Sequence, residues 1–505
     1  MDPMQPPPQP RPDDPTGPRD PFIDALRVVA VLVVVIGHWA TTTVEWDAER
    51  IRGINALSVI PATRPITWLV QVMPVLFFVG GFSNATLLRR QGGSYLSYLR
   101  TRLGRLSPPT GVFFGVWFIA GFALHVIEPA SPNVLVRAAE VAALPLWFLG
   151  IYIGVIGLAP VMLRLHRFRP LGVLAALAAG AAVVDALRLG LGVPGVGAFN
   201  YAFVWLFAHQ LGFWYREGRI GGQANALVMA GAGIAGLFVL TLGAGYPVSM
   251  VGVPGQARWN TDPPGLPLIS LTLWLVGLAL AAGPALRTWA ARGRLVAALN
   301  RRVLSMYLWH VTALSVTVAV LYPLGLPQPA VGSAAWWWLR PIWVAAMAPA
   351  LVALVTIFAR FEIHPGARPV PETRSTRLVA AGFSVFFLGI GVLVLSVTGF
   401  ASPTVAAGSV LDLTASPLLG LGHLFVGGSF AWAAMAHGNR SVLAGVGAGV
   451  IVGSLGVWEL VSPGSLHVLG WNPATAILHA VVGALAVFLV GLPFARQRSR
   501  RGFHS

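Results

Sequence analysis

The 505-residue chain contains no cysteine. That absence removes disulfides, thiolate nucleophiles, iron–sulfur clusters and cysteine-ligated zinc together. Any chemistry then rests on His, Arg, carboxylates, hydroxyls or amides. Lysine is missing too: all 34 basic residues are arginines, set against 17 acidic ones, for a formal charge of +17. Charge is scarce, at 10% of residues, while hydrophobic residues reach 56%; soluble proteins carry roughly 25% and 45–50%. A soluble globular protein is excluded. Nucleic acid is not expected as a partner, because a binder gathers its charge on one soluble face, whereas these arginines punctuate apolar runs. The histidines are scattered and no H-E-x-x-H spacing occurs, so no metal is expected.

What the chain does have is long apolar runs. A membrane-spanning helix needs about 20 mostly apolar residues, and fourteen runs qualify: 22–44, 66–88, 107–127, 145–164, 170–189, 199–215, 224–244, 266–286, 302–323, 337–360, 377–400, 416–436, 440–460 and 473–494. The expected fold is an all-α polytopic membrane protein, with about ten helices in a first domain (20–361) and about four in a second (377–495). A polar Pro- and Arg-rich linker, 362–376, separates them. Residues 1–19, rich in Pro and Asp, read as a disordered tail rather than a signal peptide, and 496–505 as a basic tail. If the N-terminus lies inside, 26 arginines fall on inner segments and seven on outer ones, with Arg27 inside the first run. The positive-inside rule then places both termini in the cytoplasm.

Ionisable residues inside such runs are costly and mark functional sites by default. The first run holds Arg27 and His38. Eleven residues at 1.5 Å separate them by about 16 Å along the axis, and 100° steps bring both to nearly the same face. They fit a common lumen; singly, Arg27 also fits snorkelling to the interface and His38 a bond to a neighbouring helix. Asp24, one turn before Arg27, can orient its guanidinium. Between the second and third runs lies RRQGGSYLSYLRTRLGRLSPP, where Arg102 and Arg105 share a helical face at i, i+3, with Arg100 nearby. Paired guanidiniums suit a polyphosphate, and equally an anchor on anionic headgroups. In SMYLWHVTALSV, His310 follows Tyr307 and Trp309; a packing role is the ordinary one. Asn84, His125, Trp147, Tyr152, Asn200, Tyr201 and His209 are further polar residues in the runs, fitting a cavity lining or helix–helix hydrogen bonds.

Five segments occur in an order that resembles the membrane-bound acyltransferase-3 family: Asp24-Ala-Leu-Arg27 leading to Gly37-His38, MPVLFFVGGFSNATLLRR at 73–90, Arg102-x-x-Arg105, LWFLGIYI at 146–153 and SMYLWH at 305–310. The resemblance covers roughly 20–365. It implies transfer of an acyl group, most often acetyl, from cytoplasmic acyl-coenzyme A to a hydroxyl of an extracytoplasmic acceptor: an envelope glycan, a glycolipid or a small secreted molecule. The family's signatures fall on Arg27 and His38, and on Arg102 and Arg105. On this reading His38 is a general base, and Arg27, oriented by Asp24, holds the donor or balances developing charge. Arg102, Arg105 and Arg100 bind the donor's phosphates, while His310, Tyr307, Trp147 and Asn84 line the substrate cavity. Direct transfer and an acyl-histidine route both stay open.

Two features depart from the family. Some members carry a fused extracytoplasmic esterase-like domain, yet every outer loop here is short, the longest being about 245–265. The 377–495 segment is not explained by the family core; its GHLFVGGSF and NPATAILHAVVGAL stretches (His423, Asn472, His479) loosely resemble a four-helix membrane domain of unknown function, with structural histidines. The rival reading is a secondary transporter or efflux protein. It predicts a Gly-x-x-x-Asp-Arg-x-Gly-Arg-Arg loop, and 89–107 contains no acid.

Overall fold

The structure, a computed structural model, describes residues 20–46, 51–90, 92, 94–127, 146–362, 374–398, 408–410, 413–435, 439–461, 475–477 and 479–487. Each of the fourteen apolar runs carries a helix. The first ten runs give α1 (Pro21–Thr41), α2 (Met73–Arg90), α3 (Tyr95–Ile127), α4 (Leu146–Phe168), α5 (Pro170–Asp185), α6 (Asn200–Arg216), α7 (Gln223–Phe238), α8 (Leu266–Ala281) with α9 (Gly283–Arg292), then α10 (Arg294–Asn300) leading into α11 (Val303–Leu321), and α12 (Ala334–Phe358). The remaining four give α13 (Arg374–Thr398), α14 (Pro417–Met435), α15 (Asn439–Val461) and α16 within 475–487. Among the described residues, eight helices are long and apolar enough to cross a membrane, or nine if α8 and α9, bent by 57°, form one span. Two short antiparallel hairpins interrupt the all-α pattern: β1 (Thr42–Trp46) with β2 (Ile51–Asn55), and β3 (Gly408–Val410) with β4 (Leu413–Ala415).

The helices sort by burial. From Gln71 to Gly81 every residue at the start of α2 is buried, and Phe77 stacks on the buried Trp205 of α6 at 4.6 Å. By contrast α5, α7 and α12 expose Leu171, Val228, Trp338 and Val352, the apolar rim expected of helices facing lipid. Glycines let the inner helices touch. A Cβ on Gly81 would lie 1.9 Å from the His209 carbonyl oxygen, and one on Gly212 would lie 2.2 Å from that of Phe78. Small residues at crossings are the usual device for close helix contact in membranes. Here the contact joins α2 to α6.

The N-terminus of α1 is capped by Asp20, whose Oδ1 accepts from the Phe22 amide at 2.9 Å. Its C-terminus is capped from outside. Arg340 of α12, 8% exposed, donates to the carbonyls of Ala40 (2.9 Å), Trp39 and Thr42. The Trp39 and Ala40 carbonyls are acceptors that a helix end leaves unpaired, and a cation there also meets the negative end of the macrodipole. Trp336, under the Arg340 guanidinium, reaches Thr43 Oγ1 at 3.0 Å. The 377–495 segment docks through α14: Leu421 and Leu424 sit against Gly150 of α4, and Phe425 against Gly111 of α3.

Candidate active site

Two groups of polar side chains lie at opposite ends of α1. At its N-terminal, arginine-rich end, Arg27 Nη1 contacts Asp24 Oδ1 at 3.4 Å and Asn300 Oδ1 at 3.0 Å, while Nη2 donates to Ser83 Oγ at 2.8 Å. Helices α1, α2 and α10 thus fix one guanidinium. Arg102, Arg105 and Tyr152 lie within electrostatic reach of it. Arg102 hydrogen-bonds Tyr98, whose hydroxyl donates to the Ile156 carbonyl at 3.2 Å. The sequence puts the arginine pair on a helical face in the segment between the second and third apolar runs; in the structure that segment is not separate but forms the first turns of α3, a helix of 33 residues. At 1.5 Å per residue that is about 50 Å, well beyond a hydrocarbon core of about 30 Å. Arginines and Pro108–Pro109 lower the local hydropathy without ending the helix.

At the other end, His38 Nδ1 lies 2.7 Å from His310 Nε2, and His310 Nδ1 lies 2.6 Å from the Tyr307 carbonyl oxygen. That oxygen can only accept, so His310 carries its proton on Nδ1 and presents a lone pair at Nε2. His38 therefore donates from Nδ1, and its own lone pair is left on Nε2. The ring planes differ by 10° with centroids 5.0 Å apart, so the rings meet edge to edge, as an in-line N–H···N bond requires. His310 is fully buried and His38 is exposed. The buried ring thereby fixes the tautomer of the accessible one. Trp39 Nε1 donates to the His310 carbonyl at 2.8 Å and locks the two helices in register. Arg27 meets residue 300 and His38 meets residue 310, so α1 and α11 run parallel.

An aromatic wall joins the two ends. Tyr152 stacks on Phe148 at 5.5 Å, Phe148 meets Tyr307 edge-on at 5.5 Å, and Tyr307 lies 5.9 Å from His310. Asn84 does not reach this wall; its Nδ2 lies 3.0 Å from His209 Nε2, both residues fully buried beside the arginine cluster. Asn200 and Tyr201 belong elsewhere. Asn200 binds Asp185, which also receives Tyr246 and the Leu266 amide, and Tyr201 binds Asp262 in the 245–265 loop. The side chains of Arg100, His125 and Trp147 lie outside the described residues. Among the described residues no three potential ligands converge on a metal position.

The model of an acyltransferase domain family matches residues 20–360. The chain belongs to the acyltransferase-3 family. The match stops where α12 ends, so α13–α16 lie outside the matched residues. No curated protein and no solved structure matches the chain. Sequence reading missed Ser83, Asn300 and Arg340 in this acyltransferase. Only Arg340 left a signal, a charge inside the apolar WWWLRPIWV. A second histidine pair sits in the added helices: His423 Nε2 lies 2.7 Å from His479 Nε2, and His479 Nδ1 lies 2.6 Å from the Thr475 carbonyl oxygen.

Proposed function

We propose that this membrane acyltransferase moves an acyl group, acetyl being the family's commonest, from acyl-coenzyme A to a hydroxyl on the other side of a bacterial cytoplasmic membrane. Both termini and the arginine-rich end face the cytoplasm, and the His38 end faces out. The acceptor is an envelope carbohydrate, a glycolipid or a small secreted molecule. One observation carries the reading: α1 holds Arg27, within electrostatic reach of the α3 arginines, at one end and a tautomer-locked histidine at the other, about 16 Å away.

Arg102 and Arg105, with Arg27, receive the donor's phosphates, the planar fork of arginine matching phosphate oxygens. The thioester arm then runs along Tyr152, Phe148 and Tyr307 to His38. At that distance Arg27 holds the donor and does not touch the reacting carbonyl; Asp24 orients it. At the far end His38 Nε2 takes the acceptor's hydroxyl proton as the oxygen bonds to the thioester carbon. His310 keeps its bond to the opposite nitrogen and so steadies the imidazolium that forms, the part a buried partner plays in hydrolase triads. The adduct next breaks its C–S bond, and the proton passes from Nε2 to the leaving thiolate. His38 ends neutral and no net proton is consumed.

The test is incorporation of label from radiolabelled acetyl-coenzyme A, with longer acyl donors in parallel, into envelope material. Sealed vesicles of both orientations carry the protein. Label appearing only when the donor meets the cytoplasmic face supports the reading. Well-expressed protein that uses none of these donors, or accepts them from either face, overturns it.

A further inference from the structure

The Asn84–His209 pair is not used by the transfer step, and it is unusual for where it sits. Both side chains are fully buried. Their mutual contact uses one atom of each, Asn84 Nδ2 and His209 Nε2 at 3.0 Å, and leaves Asn84 Oδ1 and His209 Nδ1 buried with no hydrogen-bond partner among the described residues. Unpaired buried polar atoms are rare, because each forfeits about 1–3 kcal/mol of desolvation unless something satisfies it.

The unpaired set has a definite character. With the amide as placed, Asn84 Nδ2 donates to His209 Nε2, so His209 Nδ1 bears a proton: one donor and one acceptor are left over. With the amide turned over, His209 Nε2–H donates to the asparagine oxygen, leaving the Asn84 amino group and a bare Nδ1. That amino group carries two N–H bonds, and the amide as placed also keeps its second one, so either assignment leaves an acceptor on one residue of the pair and at least one donor on the other. A phosphate would leave the acceptor unmatched and a lone hydroxyl would serve both only from a single point. A secondary amide supplies one N–H and one C=O, spaced along a chain.

The location agrees. Asn84 follows Ser83, which holds Arg27 at 2.8 Å, and Arg102 lies within electrostatic reach of His209. Arg102 Nε is itself buried and without a hydrogen-bond partner among the described residues. The pair therefore lies within electrostatic reach of Arg102 and one residue along α2 from the Ser83 that holds Arg27, on the side where the amide-bearing arm of acyl-coenzyme A must leave its nucleotide. Resting on that donor reading, we infer that Asn84 and His209 bind a secondary amide of the donor's pantetheine arm, separating recognition of the arm from that of the phosphates. The Gly81–Gly212 crossing is what holds the two side chains together.

The experiment is equilibrium binding to full-length protein in detergent, using two probes: coenzyme A, and adenosine 3′,5′-bisphosphate, which has phosphates but no arm. Asn84→Leu and His209→Phe are expected to weaken coenzyme A by about tenfold, the cost of stranding one hydrogen-bonding group, and to bind the bisphosphate as wild type does. His209→Gln, which restores a donor and an acceptor, is expected to recover part of the loss. Unchanged coenzyme A binding in both variants, or equal loss of both probes, overturns the inference. Wild-type protein that binds neither probe removes the donor reading itself, a different failure from the first.

Discussion

At the scale of single residues, His310 does for His38 what its position in the helix allows. Its Nδ1 is tied to the Tyr307 carbonyl one turn back, so only Nε2 faces His38. Replacing His310 by Phe removes the acceptor but keeps the volume, and kcat is expected to fall at least about tenfold with little change in KM for the donor, part of the 10²–10⁴-fold range of a positioned base. A KM-dominated loss would instead make His310 a binding residue. Arg27→Gln is expected to do the reverse, raising KM for acyl-coenzyme A more than it lowers kcat; steady-state kinetics in membranes separates the two patterns. Asn300, one of the partners of Arg27, and His310, the partner of His38, each lie more than 270 positions away in the chain. The same-face relation of Arg27 and His38 follows from helix geometry and was legible. Which residues complete them depends on how α1 packs on α2 and α11, and no local pattern encodes that.

At the scale of elements, apolar run length was the strong signal, and every run holds a helix. The hairpin β1–β2 was missed because its strands are short and its position, at the end of a span, reads as loop. The start of α3 was missed because its first turns are polar. Close crossings were not legible either, since glycine is frequent throughout, with 58 in the chain. Gly212→Ala is expected to destabilise the fold by about 1–3 kcal/mol or more, because the new methyl meets the Phe78 carbonyl and the Phe82 amide and overpacking forces backbone shifts. A lowered thermal midpoint in detergent checks it; an unchanged midpoint would mean the crossing is not tight. Between α6 and α7, burial pushes the Glu217 carboxyl up, but hydrogen bonds from Arg219 and His166 more than offset this and hold it below the ordinary 4.5. A carboxylate with a depressed pKa stabilises the fold above its unfolded value and loses that contribution as pH falls through the folded one. Glu217→Gln is therefore expected to flatten the decline in thermal midpoint below about pH 4.5; an identical decline would deny the carboxylate that role.

At the scale of the whole molecule, the parallel course of α1 and α11 requires an odd number of crossings between them, as the seven intervening apolar runs give if each of them spans. Orientation itself rests on arginine placement. The absence of native cysteine makes this checkable directly, since any introduced thiol is the only one present. A membrane-impermeant maleimide on intact cells is expected to label Glu45→Cys in β1 and to spare Arg219→Cys until the cells are opened; the opposite pattern would invert the topology. The central claim is narrower: a histidine base at the outer end of α1 completes transfer from a donor bound at the inner end. The measurement that tests it most directly is the rate of label transfer from acetyl-coenzyme A by membranes bearing wild type or His38→Ala at equal expression, with coenzyme A binding measured alongside. Transfer lost while binding persists is the expected result. Transfer at the wild-type rate by His38→Ala would contradict it.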